Sequence, residues 1–127
     1  MTRQLLRAKI HRIAVTECDV EYEGSLTLDS ELMQAADLVP FERIEVYDVT
    51  NGSRFATYVI EGEPASRVCC VNGAAARLVE KGDRLILAAY AAIDEGELRD
   101  HRPKVVVIGD ENEIREIKSD EGAGVRL

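Results

Sequence analysis

The run ERIEVYDVTNGSRFATYVIE, residues 42–61, constrains the fold of this chain more than any other stretch. Apolar and polar residues alternate on both sides of Asn51-Gly52, and Asn-Gly accepts the positive φ angles of a tight hairpin turn. Two strands are expected there. A second Asn-Gly, Asn72-Gly73, follows the short strand pattern SRVCCV at 66–71, while KIHRIAVTE at 9–17 reads as an opening strand. DRLILAAYAAI at 83–93 and KVVVI at 104–108 add a long and a short apolar strand. In DSELMQAADLVP, residues 29–40, Asp29 can cap, Glu31 lies in the first turn, Leu32, Met33 and Ala36 share a face, and Pro40 stops the run. That is one short helix. AAARLVEKGD at 74–83 reads as a brief helix closed by Gly82, and DEGELRD at 94–100 as a helical turn. Strands without regular β-α alternation give a mainly β chain with two or three short helices, folded as a small barrel.

A length of 127 residues suits one domain with a real core. The expected barrel domain spans residues 1–109, and the charged, weakly periodic DENEIREIKSDEGAGVRL, 110–127, is expected to be a mobile tail. Cys18, Cys69 and Cys70 show no C-x-x-C spacing and read as reduced thiols of a cytoplasmic protein. LILAAYAAI is too short to span a bilayer, and the N-terminus is too charged for a secretion signal, so no membrane role is expected. A net charge of -8 argues against nucleic acid as a partner. Residues 1–16 nevertheless carry Arg3, Arg7, Lys9, His11 and Arg12 with no acid, a patch suited to a small anion or to plain solvation.

The usual chemical motifs are missing. There is no P-loop, no G-x-G-x-x-G and no G-x-S-x-G elbow, and His11 and His101 stand apart from any metal-ligand cluster. What remains is EYEGSLTLDS, residues 21–30, where Gly24-Ser25 interrupts a strand pattern. A glycine there points to a special backbone. A serine hydroxyl beside a strained peptide can attack the preceding carbonyl, and β-elimination of the resulting ester leaves dehydroalanine, which hydrolyses to a pyruvoyl group. Taken alone, a Gly-Ser pair is an ordinary turn.

Other residues join it in order. K-I-H-R at 9–12, Y-E-G-S at 22–25, N-G-x-R-x-x-T-Y at 51–58 and V-N-G-A-A-A at 71–76 together resemble the bacterial pyruvoyl-dependent aspartate 1-decarboxylases, over about residues 1–109. The resemblance implies a double-psi β-barrel, a homotetramer with active sites between subunits, and conversion of L-aspartate to β-alanine for pantothenate synthesis. It also implies cleavage between Gly24 and Ser25, spontaneous or aided by a maturation helper protein. The pyruvoyl cofactor made from Ser25 would form a Schiff base with the substrate amine and accept electrons as carbon dioxide leaves.

The matching positions take roles accordingly. Lys9 and the Arg54 fork are candidates to hold the substrate carboxylates. Tyr58 resembles the proton donor, and Thr57 the hydroxyl that stabilises the oxyanion during self-cleavage and later contacts substrate. Asn72 is expected to position the precursor loop, Gly73, Ala74 and Ala75 to offer small side chains and backbone N-H groups, and His11 and Tyr22 to lie nearby. No metal is expected. Each residue singly has a plain structural reading; the joint pattern carries the assignment. Strict alternation puts Arg54 and Tyr58 on one face of their strand and Thr57 on the other, so a bulge or a site shared between subunits is required. Two rivals stand beside this reading, a non-catalytic barrel that binds a small anion or a protein, and a pyruvoyl decarboxylase for another amino acid such as glutamate.

Overall fold

Asn51-Gly52 turns the chain as its sequence requires: Gly52 has φ +81°, and strands β4 (Arg43–Asp48) and β5 (Arg54–Gly62) pair antiparallel without a register shift. This hairpin sits at the centre of a computed structural model that describes residues 1–120. The remaining strands are β1 (Thr2–Ala14), β2 (Glu17–Asp19), β3 (Ser25–Asp29), β6 (Cys69–Asn72), β7 (Arg84–Asp94), β8 (Lys104–Ile108) and β9 (Ile114–Lys118). They form one mixed sheet in the order β2-β6-β3-β5-β4-β7-β1-β8-β9. Three pairs, β1 with β8, β2 with β6 and β3 with β5, run parallel. With three short helices added, the mainly β small barrel expected from the sequence is what the chain adopts.

Alternation explains the core. Ile10, Leu26, Leu28, Ile44, Val46, Val59, Leu85 and Leu87 come from the inward positions of their strands and are fully buried. Helix α1 (Ser30–Ala36) covers the core with Leu32, Met33 and Ala36, as the sequence pattern requires. Its cap does more than start a helix: the buried Asp29 carboxylate accepts N-H groups from Glu31, Ala65 and Arg67 at 2.9, 3.1 and 2.7 Å. The helix ends before Pro40, at Asp37 in the left-handed conformation.

Two expectations need correction. The segment AAARLVEKGD is not a helix closed by Gly82; a 3-10 helix occupies Gly73–Leu78, and Gly82, with φ +94°, belongs to the turn before β7. Nor does the barrel domain end at residue 109 with a tail from 110. Strand β9 continues the sheet against β8, and buried Asn112 clamps this segment, accepting from Ala14 N-H and donating to the carbonyls of Ala14 and Arg67. The side chains of β9 are mostly exposed, so they carry no apolar periodicity, and the strand is held by its backbone and one asparagine. Residues 121–127 of the expected tail lie outside the described residues. β1 also begins earlier than expected, at Thr2, and β2 was not foreseen because all three of its residues are exposed. Among the described residues no helix is long and apolar enough to cross a membrane.

The hairpin turn carries an acid pair. Asp48, buried at the end of β4, accepts the N-H groups of Thr50 and Asn51 through Oδ1, while its carboxyl meets that of Asp83. Burial, then the contact with Asp83, pushes the Asp48 carboxyl up against the opposing pull of the two N-H donors. A carboxyl raised in the folded state contributes stability that is complete in acid and lost as pH climbs through its folded pKa. Asp48→Asn, which keeps the Oδ1 acceptor, is therefore expected to gain stability over the parent progressively as pH rises from the ordinary carboxylate range upward. Urea unfolding midpoints of the two proteins across that rise in pH test this, and a pH-independent difference would count against it.

Candidate active site

Strand pairing decides which expected residues meet. β3 and β6 pair antiparallel with Ser25 opposite Asn72, both buried. The Asn72 amide donates from Nδ2 to Ser25 Oγ and to Thr27 Oγ1, each at 3.0 Å, and its Oδ1 accepts from the Cys70 thiol at 3.2 Å. Ser25 Oγ also reaches the Glu23 carbonyl at 3.4 Å. Next to Asn72, Gly73 has φ +75°, and a Cβ there would lie 2.7 Å from Gly24 Cα and 2.9 Å from Gly24 N. Gly73 is thus pressed against the backbone N and Cα of Gly24, the residue that precedes Ser25.

The backbone constraint inferred at Gly24 belongs to its neighbour. Gly24 lies outside the left-handed region, and a Cβ added to it would meet nothing within 4 Å. The residue that cannot accept a side chain is Gly73, for both its φ and its contact with the bend before β3. The sequence pointed to the right place because Gly24 is what Gly73 packs against.

A second group occupies the outer face of the sheet. Tracing partners across β1, β7, β4 and β5 gives one row His11, Ile86, Tyr47, Arg54 and another Lys9, Ala88, Glu45, Ala56. Directly opposed residues share a face, and every second residue returns to it, so Lys9, His11, Arg54 and Tyr58 all project from this side. A cleft of about 370 Å³ opens there between Gln4, Arg43, Glu45, Ala88 and Tyr90. Tyr47 and Tyr90, which sequence reasoning passed over, organise the face: the Arg54 guanidinium lies 4.0 Å from the centre of the Tyr47 ring, and the two phenols hydrogen-bond at 2.9 Å. That hydrogen bond, with some burial, pushes the Tyr90 phenol up to about 12. Period-two spacing alone could have placed Tyr47 and Tyr90 beside Arg54 once the strand order was known.

Thr57 is not on that face. It points to the opposite side of β5 from Arg54 and Tyr58, and the even pairing of β4 with β5 leaves no bulge to turn it. Tyr58 is partly exposed and lies against exposed Phe41, ring centres 6.4 Å apart. Tyr22 is exposed in the bend before Ser25, and its carbonyl is 3.3 Å from where a Gly73 Cβ would be. Ala74 is exposed and Ala75 half-buried in the 3-10 helix that starts at Gly73. Of the basic N-terminal residues, Arg7 is engaged by Glu42 and the Asp37 carbonyl, and Arg3 by Glu95. Among the described residues no cluster of histidine, cysteine or acidic side chains has a metal-binding arrangement.

A small mixed barrel that buries a serine, directly after an exposed glycine, under an asparagine amide points to a narrow class of protein. The family model for aspartate decarboxylase matches residues 1–115, and this chain belongs to that family. It is 51% identical over 112 residues to an aspartate 1-decarboxylase of Syntrophotalea carbinolica, covering 88% of this chain and 86% of that one. Relatives of the same name are 54% identical in Syntrophobacter fumaroxidans, over 88% of this chain and 90% of that one, and 49% in Ralstonia nicotianae, over 94% and 99%.

The glycine contrast is directly testable. Gly73→Ala should lower the unfolding free energy by about 2–4 kcal/mol, combining left-handed strain with backbone overlap. Gly24→Ala should cost under about 1 kcal/mol. Urea titrations of both variants give the comparison, and equal costs would contradict the assignment.

Proposed function

We propose that this chain is a self-processing enzyme that decarboxylates L-aspartate to β-alanine with a pyruvoyl group made from its own Ser25. The observation that carries this reading is the Asn72 amide on Ser25 Oγ, with Gly73 pressed against Gly24. The hydroxyl so held belongs to the residue that directly follows the carbonyl it must attack. The Oγ lone pair forms a bond to the Gly24 carbonyl carbon, the carbon-nitrogen bond breaks, and the hydroxyl proton passes to the nitrogen, leaving an ester with no change in composition. Loss of the Ser25 α-proton expels the Gly24 carboxylate, and water then replaces ammonia on the dehydroalanine. Thr57 is assigned to stabilise the oxyanion of the first step.

The residues fit the group. Ser25 opens β3 with its Oγ buried under the Asn72 amide, and Gly73 packs tightly against Gly24 beside it, so a small keto acyl unit made from Ser25 would start the strand within reach of that amide. Bound to the substrate amine, that carbonyl supplies the sink for electrons released as carbon dioxide departs. Arg54, its guanidinium held over the Tyr47 ring, and Lys9 bind the two substrate carboxylates. Tyr58 supplies the proton to the decarboxylated carbon. Gly73, Ala74 and Ala75 open a 3-10 helix whose first N-H groups have no partner within the helix, and they face the ligand with Asn72, His11 and Tyr22 around it.

The active site is assembled between copies of the chain, in a homotetramer. Support comes from the split between the Ser25 cradle and the outer-face cations, from the unbulged β5, and from the exposed aromatics Phe41 and Tyr58 at its edge. The enzyme works in the cytoplasm and supplies β-alanine to pantothenate synthesis, and cleavage with and without added cell extract separates spontaneous maturation from maturation aided by a helper protein.

Two variants separate the chemical steps. Ser25→Ala is expected to stay folded, uncleaved and inactive; fragments ending at Gly24 in that variant would sink the proposal. Tyr58→Phe should cleave at the parental rate yet lose at least about 100-fold in β-alanine production, in line with the worth of a general acid. Intact mass spectrometry and a product assay read the two outcomes.

A further inference from the structure

Asn72 is almost completely buried, and a primary amide has two N-H donors to satisfy and one oxygen to engage. Both donors are used, on Ser25 Oγ and Thr27 Oγ1, and the oxygen takes the Cys70 S-H. Cys70 and Asn72 lie two residues apart on β6, so their side chains leave the strand on the same side, where Ser25 and Thr27 stand opposite them on β3. Two groups favour the end of the amide that faces the serine: the thiol, a better donor than acceptor, on the oxygen, and the Ser25 hydroxyl, whose proton reaches the Glu23 carbonyl and leaves its oxygen to accept. Burial, then Glu17 and Asp19 nearby, pushes the Cys70 thiol up from its ordinary value, which keeps the sulfur protonated as a donor.

We infer that Cys70 is a positioning residue for self-cleavage: its S-H holds the Asn72 oxygen so that the amide N-H points at Ser25 Oγ, the atom that attacks Gly24. This rests on the proposed cleavage and extends it to a residue outside the four motifs. With the N-H on its oxygen, the serine is oriented for the attack, and the negative charge that grows on that oxygen when it leaves with the Gly24 carboxylate in the elimination is met by a fixed donor. Without the thiol the amide is freer to turn, and its carbonyl end would then face that charge.

The test follows fragment formation by intact mass in the freshly purified full-length chain, with bacterial cell extract added in a parallel series. Cys70→Ala should slow cleavage about 10-fold, the worth of one lost orienting hydrogen bond, and Cys70→Ser should restore it to within about 2-fold. Thr27→Val, which removes the second acceptor at constant volume, should also slow cleavage and guards against a Cys70→Ala chain that folds poorly; thermal midpoints monitor folding throughout. Matured fractions of each variant should decarboxylate aspartate at the parental rate per cleaved chain. Parental cleavage in Cys70→Ala, or a serine variant as slow as the alanine one, would overturn the role of the thiol while leaving self-processing intact. An uncleaved parent chain in both series would instead defeat the cleavage reading itself.

Discussion

The pairing of β3 with β6 is the constraint on which the rest depends. It places Ser25 opposite Asn72 and thereby turns two dipeptides, 47 positions apart in sequence, into one buried polar contact. A buried amide left unsatisfied would cost about 1–3 kcal/mol, so the network around Asn72 has to be complete for the strands to close over it. Its completeness also makes it rigid. The serine is held by the same bonds that seal the core at that edge.

Around this fixed point the barrel distributes its functional groups by parity. Alternation along β1, β4, β5 and β7 sends Lys9, His11, Tyr47, Arg54 and Tyr58 outward and the aliphatic residues between them inward. The outer face can therefore be cationic and aromatic without disturbing the core, despite the acidic balance of the whole chain. The face is also locally ordered: an arginine on a tyrosine ring and a tyrosine pair need no protein partner to hold their geometry.

Much of this was legible in the sequence, for physical reasons that can be named. The Asn51-Gly52 hairpin and the capped helix from Asp29 depend on local backbone chemistry, which neighbouring residues reveal. The residues of the Ser25 cradle were legible only through motifs far apart in the chain, since nothing local to Asn72 says which strand lies beside it. Strand β9 was hidden because an exposed edge strand has no inward face to make a pattern. Cys70 and Tyr47 were missed for a different reason: an ordinary strand residue becomes significant only when register puts it opposite a particular partner. The even register of β5 likewise kept Thr57 apart from Arg54 and Tyr58, as alternation had required.

The place of β1 in the sheet bears on what a break before Ser25 would do. β1 lies between β7 and β8 and is laddered to β7 along most of its length, while β2, which follows it, is hydrogen-bonded to β6. The piece ending at Gly24 would thus remain woven through the sheet as an interior strand. A chain severed there behaves as a fragment complex whose halves were folded together before they were parted, so dilution alone would not release them. The order of events matters for the same reason: two pieces made separately would face a concentration-dependent search for a register that the intact chain finds within itself. By this argument the peptide bond at Gly24 would matter for building the barrel more than for holding it once built.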